Sequence, residues 1–596
     1  MFVSLTRIKK VINNPISGWM FLWQYIKARL LKYKKIKNIL PSDKHKFLIE
    51  DEAFLKLLEK NIADDIKIFD NVDLQNINWN YDYINKVSIP FKYYFNLREW
   101  IVKNSFKGFD IKNVWELSRG YYLKDMAIKF YQTNNQDYLK TYKRIIDSWI
   151  DQNTYLYSSN WTNPMEVSIR SLNWILSFRL ITKKDPAAFD EAFRKRFYLN
   201  LNQSFVFLIN NIETYPFKSN HYTTDNLGIF VLSLIFDNTH FIKKSFNNLV
   251  RSLKEQFDNN GVDFENSSNY QLLKIEAIMI AILLRKKNPN LADVLKFSEE
   301  QDSQLKNIYV FSKYLFKNDE DIFNFGDNDE TKIFDIQPLK QKLEYLYRSI
   351  IPQDVDTMPS KTFGNSGYNF LKNEDFNVLF LRNNQKNGSH FHNDLLSFQL
   401  NYKGEDFFVD PNTFSYNLNS EKRAYYISTR HHNTCTINHQ EQSKINKLDP
   451  FFRSKQKRVT VKKQSLLKSR DEVVLKIDYS RYSHSRSLIF NKDANKINIF
   501  DTFNGNIKNI EWNFYLPKDV IIKNDLKIKN IILLENHSKT LILEIPEMLA
   551  LTINKTYIST KYNQEEEGTN IRLQFENTNH LQNLSFQINI MEKYLK

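Results

Sequence analysis

The sequence contains very little cysteine, since Cys435 is the only one in 596 residues. A single cysteine excludes an intramolecular disulfide framework and any cysteine-based zinc cluster. No run of about 20 apolar residues occurs, which argues against a membrane-spanning helix. The chain is otherwise rich in core-forming residues, because 42% are hydrophobic and 15% aromatic. These proportions predict folded domains rather than a disordered chain.

Acidic residues are absent from the first forty positions, which hold nine Lys and Arg residues. Of the net charge of +16, only +7 therefore belongs to the other 556 residues. This surplus is ordinary, and we expect no nucleic-acid partner. The basic arm, defined as residues 1–45, also carries apolar residues between Trp19 and Ile26. It either contacts an anionic membrane surface or packs on the protein as a first helix, and it has no signal-peptide cleavage site.

Helical periodicity dominates from about Phe47 to Ile351. Apolar residues recur at spacings of three and four, for example in Val167–Phe178 and Leu272–Leu283, which marks the buried face of a helix. After about Pro359 the period changes to two, and short alternating runs follow one another. This pattern predicts an antiparallel β-sandwich. We therefore predict a helical domain over residues 46–355 and a β-sandwich over residues 356–596, with a ligand cleft between them.

Five of the eleven histidines fall within fifty residues of the predicted sandwich. If that segment is extended, the alternate residues His390, His392 and Asp394 project to one side. Two histidines and a carboxylate are ordinary ligands for a divalent metal, and zinc is the commonest match. Asp410 and His432 are candidate third ligands. The alternative is a hydrogen-bonded polar network that holds no ion, because paired histidines alone are a weak signal.

Two polar segments precede apolar helices in the helical half. Asn220 and His221 lie at one predicted helix start, and Ser267 or Ser268 can cap the helix that contains Tyr270. In a first turn, the positive end of the helix dipole would favour the phenolate form of Tyr270. Taken alone, these residues are explained more simply as helix caps and packing residues.

Two carboxylate–guanidinium pairs are predicted on helix faces. Glu166 and Arg170 are four residues apart, and Glu116 and Arg119 are three apart, so each pair can interact along a helix. Each is a structural ion pair unless both line the same cavity as Asn220 and Tyr270. Arginine and aromatic side chains together are what a cleft for a sugar acid requires.

In their order along the chain, these motifs resemble those of the heparinase II/III-like polysaccharide lyases. The matching segments are Trp115–Arg119, Glu166–Arg170, Asn220–His221, Phe264–Tyr270, His390–Phe398, Val409–Pro411 and His432–Thr434. The resemblance covers about residues 111–443 well. It implies an incomplete (α/α) toroid followed by an antiparallel β-sandwich, in agreement with the change of period.

The resemblance also implies β-elimination at a uronic acid, with an acidic polysaccharide as the partner. It implies four catalytic residues, namely Asn220, His221, Tyr270 and His390. The first two would neutralise the uronate carboxylate, and the other two would act as base and acid in an order that the sequence leaves open. Six further residues are expected to bind substrate: Glu116, Arg119, Glu166, Arg170, Asp394 and Tyr416. A structural zinc ion is implied on His392, Asp410 and His432.

The sequence departs from the family pattern at two positions. The position of a further catalytic tyrosine of some relatives is Leu418 here, and its near substitutes are Tyr416, Tyr425 and Tyr426. The usual glycine between the paired histidines is Phe391, which would narrow the cleft. Two alternatives therefore stay open: a non-catalytic glycan-binding or surface-polysaccharide assembly protein, and a hydrolase that uses the two glutamates named above. The resemblance implies the cell envelope or periplasm, and the cytoplasm is not excluded.

Overall fold

The computed structural model describes residues 39–60, 72–214, 218–353, 360–381, 390–451, 457–524, 530–579 and 581–593, with a few positions outside these ranges. Most of the basic arm lies outside the described residues, so its membrane contact stays a prediction. The described end of the arm packs on the helical half, where the Ser42 backbone N–H donates to the Ile235 carbonyl at 2.7 Å. No described helix is both long and apolar enough to cross a bilayer.

The helical half begins with a short helix and a small hairpin of strands β1 (Tyr81–Asp82) and β2 (Val87–Ser88). Its described residues form twelve α-helices: α1 (Glu52–Glu59), α2 (Tyr94–Asn104), α3 (Ile111–Arg119), α4 (Tyr121–Thr133), α5 (Gln136–Gln152), α6 (Pro164–Lys184), α7 (Glu191–Asn211), α8 (Asn220–Ile235), α9 (Thr239–Gln256), α10 (Ser268–Lys287), α11 (Glu299–Leu315) and α12 (Leu339–Ile350).

These helices form two layers. The inner layer runs through α4, α6, α8, α10 and α12, each packed on the next, and α5, α7, α9 and α11 each pack outside the inner helix that they follow. Helices α6, α8 and α10 are buried on almost every side, as expected for helices surrounded by others. Outer helix α5 is amphipathic and buries Leu139, Tyr142, Ile146 and Trp149. The arrangement is an incomplete (α/α) toroid.

The second half is built from strands, with one short helix, α13 (Ser420–Tyr426). Its strands among the described residues are β3 (Lys361–Thr362), β4 (Tyr368–Lys372), β5 (Phe376–Leu381), β6 (Phe398–Tyr402), β7 (Glu405–Phe408), β8 (Cys435–Ile437), β9 (Val459–Leu466), β10 (Arg470–Asp478), β11 (Tyr482–Asn491), β12 (Lys496–Gly505), β13 (Asn509–Leu516), β14 (Val520–Asn524), β15 (Ile531–Asn536), β16 (Lys539–Glu544), β17 (Ala550–Lys561), β18 (Gln564–Glu576) and β19 (Asn583–Glu592).

The strands pair antiparallel in three sheets. Their orders are β14-β15-β16-β19-β12-β11-β10-β9, β17-β18-β13-β8 and β3-β4-β5-β6-β7. The eight-stranded and four-stranded sheets face each other, with Trp512 of β13 and Phe586 of β19 in ring contact at 5.0 Å between centroids. The five-stranded sheet packs on the toroid, where Phe311 of α11 meets Phe363 at 4.9 Å. The predicted order, a helical half and then an antiparallel sandwich, is confirmed.

We predict that Gly228→Ala destabilises the toroid. A Cβ at this position of α8 would lie 2.3 Å from the Ser168 Oγ and 2.6 Å from its Cβ on α6. Overpacking a core costs about 1–3 kcal/mol, against about 1 kcal/mol gained in helix propensity. Urea unfolding should therefore show a net loss of stability.

The matched control is the same substitution in a Ser168→Gly background, which removes the side chain that the new methyl group meets. Gly228→Ala should cost less there than in the parent, and the difference gives the coupling between the two sites. An equal cost in both backgrounds, or no cost in the parent, would contradict this account of the α6–α8 contact.

Candidate active site

A cleft of about 270 Å³ lies where the inner helices of the toroid begin and face the sandwich. The first turns of α6, α8 and α10 present Glu166, His221 and Tyr270 to this cleft, and the sandwich contributes His390 and Tyr416. Helix starts carry partial positive charge from their unpaired N–H groups. The fold therefore gathers residues from distant parts of the chain at one cleft, and the helix starts add positive potential there.

Tyr270 and His390 meet across this cleft. The Ser267 hydroxyl caps α10 by accepting the Tyr270 backbone N–H at 3.1 Å, which fixes the tyrosine in the first turn. The rings of Tyr270 and His390 are 4.3 Å apart between centroids. The Tyr270 hydroxyl is hydrogen-bonded to the Tyr416 hydroxyl at 2.8 Å. A phenol from the toroid and an imidazole from the sandwich thus face the same small volume.

The Tyr270 phenol is held in its neutral form. Burial raises its pKa well above 10, and the nearby carboxylates of Asp329 and Asp327 raise it further. The expectation that the helix dipole favours a phenolate is therefore wrong, because burial penalises the charged form more strongly than the dipole rewards it. A neutral phenol can donate a proton.

Asp327, which the sequence analysis did not single out, links His390 to its surroundings. Its carboxylate accepts from His390 Nδ1 at 2.8 Å and from His392 Nε2 at 2.9 Å, and it forms an ion pair with Arg423 at 2.5 Å. Burial alone would raise the Asp327 pKa, but Arg423 and the two histidines hold it well below its usual range. Because Nδ1 of His390 is engaged by Asp327, Nε2 is the nitrogen left for proton transfer, and it lies 3.4 Å from the Glu265 carboxylate.

Gly326 lets Asp327 reach this position. Its φ of +63° lies in the left-handed region that favours glycine. A Cβ there would lie 2.0 Å from the Asn266 carbonyl oxygen and 2.8 Å from the His390 carbonyl oxygen. The segment that carries Asp327 is therefore wedged between the start of α10 and the His390 loop.

Asn220 lies behind the cleft surface rather than on it. Its backbone N–H and its side-chain amide donate to the two oxygens of Glu265, each at 2.7 Å. Glu265 also pairs with buried Lys274 at 2.7 Å. Burial alone would raise the Glu265 pKa, but Lys274 lowers it to about 2, so the carboxylate stays ionised. Asn220 is thus engaged by Glu265 and does not line the cleft.

His221, next along the chain, does line the cleft. Its Nδ1 is hydrogen-bonded to Glu213 at 2.5 Å. The nitrogen available to a ligand is therefore Nε2, held in place by a carboxylate that follows α7. This arrangement can present a positively polarised N–H to an acidic group.

Arg119 pairs with both predicted glutamates. Its Nε and Nη2 donate to the two oxygens of Glu166 at 2.6 and 2.8 Å, and its Nη1 donates to Glu116 at 2.5 Å. Arg119 and Glu166 line the cleft. The predicted Glu116–Arg119 pair is confirmed. The predicted Glu166–Arg170 pair is wrong, because Glu166 pairs with Arg119 instead.

Arg170 and Asp394 do not reach the cleft, which corrects their placement as substrate-binding residues. The Arg170 guanidinium lies 4.1 Å from the Trp149 ring and is buried, which lowers its pKa to about 9. Asp394 is fully buried in the sandwich. Phe391 is also buried and lies outside the cleft lining, so it does not narrow the cleft.

Leu418 stands at the position of the further tyrosine of some relatives, and Tyr416 is the near substitute that reaches the cleft. Of the three near substitutes, it alone lines the cleft and bonds Tyr270. Tyr425 is 44% exposed, and its ring contacts that of His431 at 4.1 Å between centroids. Tyr426 donates to Glu565.

His392, Asp410 and His432 form a group that can hold a metal ion. Their ligand atoms lie within 4.8 Å of one another, and all three residues are buried. His392 Nε2 donates to Asp327 and His432 Nδ1 donates to Asp410 at 2.8 Å, which leaves His392 Nδ1 and His432 Nε2 buried without a hydrogen-bond partner. Such orphaned nitrogens are costly unless they bind something. Burial also lowers the His392 pKa to about 4, so its ring is neutral and can act as a ligand.

A second group of donor atoms, Cys435, His484 and Asp501, does not fit a metal. Arg486 lies among them and donates to both Asp501 oxygens at 2.8 Å and to Cys435 Sγ at 3.2 Å. Trp512 Nε1 also donates to Asp501 at 2.9 Å. The guanidinium already balances the carboxylate, so this group is a polar network of the sandwich core.

Two family models match the sequence, Heparinase II/III N-terminus over residues 22–347 and Heparinase II/III-like, C-terminal over residues 356–587. The chain belongs to the heparinase II/III-like family. No curated protein matches the sequence.

Solved structures of similar fold accord with this membership. One is a heparinase III with a TM-score of 0.68 and 14% identity, and the match covers 98% of this chain and 91% of that chain. A second heparinase III has a TM-score of 0.60 and 18% identity, with 96% of this chain and 88% of that chain covered. Heparan sulfate lyase HepC from Pedobacter heparinus has a TM-score of 0.55 and 17% identity, with 100% of this chain and 92% of that chain covered. At these identities they establish the fold alone, an (α/α) toroid followed by a sandwich.

Three carboxylates of this heparinase II/III-like site were missed from the sequence: Glu213, Glu265 and Asp327. Each acts on a residue that was predicted, and each lies in a loop, where periodicity says nothing. The run Gly326-Asp-Asn-Asp-Glu330 between two helices is the signal that could have indicated Asp327, since a glycine followed by acidic residues in a loop suggests a special backbone position.

We predict that Asp327→Asn lowers the turnover of the enzyme about 10- to 100-fold, the usual effect of removing a group that orients a site residue. The amide would leave Arg423 unpaired and would no longer fix His390. Initial rates and thermal unfolding should be measured together, below the unfolding transition of the variant. Asp321→Asn, an exposed change in the same connecting segment, is the control. Unchanged turnover in folded Asp327→Asn would contradict the role given to Asp327.

Proposed function

We propose that this protein is a polysaccharide lyase that cleaves a uronic-acid-containing acidic polysaccharide by β-elimination. Membership of the heparinase II/III-like family supports the reaction class. The observation that carries the proposal is the approach of Tyr270 and His390 to 4.3 Å across one cleft. Both groups lie close enough to act on a single sugar ring.

The chemistry requires a base at C5 and an acid at O4 of the sugar. In the proposed reaction, His390 Nε2 takes the C5 proton, and the electrons of the C5–H bond form the C4–C5 double bond. The C4–O4 bond breaks, and Tyr270 gives its proton to the departing O4 oxygen. The raised pKa of Tyr270 supports the acid role, and the engagement of His390 Nδ1 by Asp327 supports the base role of Nε2.

The uronate carboxylate must be neutralised before the C5 proton becomes acidic. His221 is the donor proposed for this step, since it lines the cleft and Glu213 holds its Nδ1. Asn220 lies behind the cleft surface, where its amide donates to Glu265, and the Glu265 carboxylate lies 3.4 Å from His390 Nε2. The first turns of α6, α8 and α10 add positive potential at the same place.

The two alternative functions have less support than the lyase proposal. The glycan-binding alternative rested in part on Phe391 and Leu418, and these two positions no longer favour it, because Phe391 lies outside the cleft lining and Tyr416 lines the cleft and bonds Tyr270. The hydrolase alternative needs one carboxylic acid and one free carboxylate. Glu116 and Glu166 both accept hydrogen bonds from Arg119, so neither carboxylate is free of a partner as the hydrolase alternative requires.

We further propose that His392, Asp410 and His432 hold a zinc ion. Their two orphaned ring nitrogens and one carboxylate match the donors that zinc prefers. When bound, the ion would contribute stability and loop order rather than take part in proton transfer. The chain's own contribution is Asp327, which connects His392 to His390 and thereby couples the ligand group to the cleft.

We predict that the protein, dialysed against zinc and then desalted, retains about one zinc ion per chain. His432→Ala should lose most of this zinc, and its thermal unfolding temperature should fall by several degrees because the bound ion stabilises the folded state. Elemental analysis and calorimetry measure both. The control is His240→Ala, at an exposed position. Zinc retention equal in His432→Ala and the parent would contradict the site.

We predict that Tyr270→Phe reduces lyase activity by about 10² to 10⁴, the usual contribution of a positioned acid or base. The ring and its packing are kept, so the fold should be unaffected. The assay follows the ultraviolet absorbance of the unsaturated uronate on a panel of alginate, heparan-type and bacterial acidic glycans.

Tyr425→Phe is the matched control, because Tyr425 is exposed and lies nine residues along the chain from Tyr416 without lining the cleft. It should retain the parent activity. Absence of unsaturated product from the zinc-loaded parent across the whole panel would argue against a lyase. Full activity in Tyr270→Phe would argue against the role of this tyrosine.

A further inference from the structure

Two backbone hydrogen bonds join the toroid and the sandwich where the two domains meet at the cleft. The backbone N–H of Phe106, just after α2, donates to the Asn417 carbonyl of the sandwich at 2.6 Å. The backbone N–H of Gly108 donates to the Leu418 carbonyl at 3.2 Å. Phe106 and Asn417 both line the cleft, one on the toroid wall and one on the sandwich wall. Where these walls are hydrogen-bonded to each other, no sugar chain can pass between them.

The backbone at Phe106 is strained in order to make this bridge. Its φ is +66°, a left-handed conformation that costs an aromatic residue roughly 1–2 kcal/mol. Strain of this kind persists only where the surrounding structure holds it, and it concentrates at functional sites. The bridge is thus maintained at an energetic cost, although a glycine at position 106 would make the same turn freely.

A second set of contacts backs the bridge. Tyr562, in the turn between β17 and β18, donates its hydroxyl to Asp110 at 2.6 Å and accepts the Tyr416 backbone N–H at 2.8 Å. The neighbouring Asn563 amide donates to Asn113 at 2.6 Å. The loop that carries Tyr416 and Asn417 is therefore tied to the start of α3 as well as to Phe106.

The closed end lies immediately beside the reaction centre. Asn417, which forms the bridge, follows Tyr416, whose hydroxyl bonds Tyr270 at 2.8 Å. The whole cleft has a volume of about 270 Å³, near the lower limit of small-molecule pockets. A polysaccharide seated at Tyr270 and His390 can extend away from the bridge, but on the bridge side there is room for only a short stretch of sugar.

We infer that the enzyme is exolytic: it cleaves near one end of the chain and releases short unsaturated oligosaccharides. This inference rests on the proposed lyase function. An endolytic enzyme needs a groove open at both ends so that substrate can continue in both directions. A cleft closed beside the reacting groups admits a chain end instead.

The test follows one reaction with two readouts, using the zinc-loaded parent and a high-molecular-mass acidic polysaccharide from the panel that it cleaves. Absorbance counts the bonds broken, and viscosity reports the mean chain length. We expect absorbance to rise while viscosity falls slowly, with products no longer than about a trisaccharide from the first time point by mass spectrometry. An early collapse in viscosity with long oligosaccharides would overturn the inference and leave the lyase proposal intact. No absorbance on any substrate would overturn both.

Phe106→Gly tests the part that the Phe106 side chain plays in closing this end of the cleft, because it removes the ring at a φ that glycine adopts freely and keeps the backbone N–H that bonds Asn417. We expect the share of early products longer than a trisaccharide to rise at least about threefold. Lys86→Gly is the control, since it makes the same change at a φ of +58° in the hairpin between β1 and β2, and its products should match the parent's. Identical product sizes from Phe106→Gly and the parent would overturn the assignment of the closed end to the Phe106 side chain.

Discussion

The buried carboxylate of Asp327 is the contact on which the site depends. It accepts from His390, which faces the cleft, and from His392, which belongs to the group that can hold a metal ion, and it pairs with Arg423. A buried charge is tolerated only when its partners are well placed, and removing one partner is costly. The position of the imidazole in the cleft is therefore coupled to the integrity of the sandwich loops around it.

The toroid contributes the other half of the site through helix starts. Helices α6, α8 and α10 are buried along most of their lengths because other helices surround them, and their first turns open at one face of the ring. Capping by Ser267 then places Tyr270 at the opening. The two layers of helices and the sandwich, joined by backbone bonds, hold the two groups on opposite sides of the cleft.

Much of the fold could be predicted, because the helical and strand spacings of apolar residues extend over many positions and do not depend on any single residue. The change of period near Pro359 indicated a helical half followed by an antiparallel half, which is the order observed, whereas β17 is mostly exposed and alternates too weakly to be recognised. Residues carried by motifs, such as Tyr270 and His390, were found. Asp327 and Glu213 were not, since they act through tertiary contacts made by loops. Arg170 was misplaced because helix spacing shows which residues can pair but not which face is buried.

The central claim is that one uronate ring is held between His390 and Tyr270. The most direct test is a crystal structure of the Tyr270→Phe variant with an uncleaved oligosaccharide bound. The account predicts C5 of the uronate within about 3–3.5 Å of His390 Nε2, and O4 directed at residue 270. A sugar bound with C5 and O4 away from both residues, or bound outside the cleft, would contradict it.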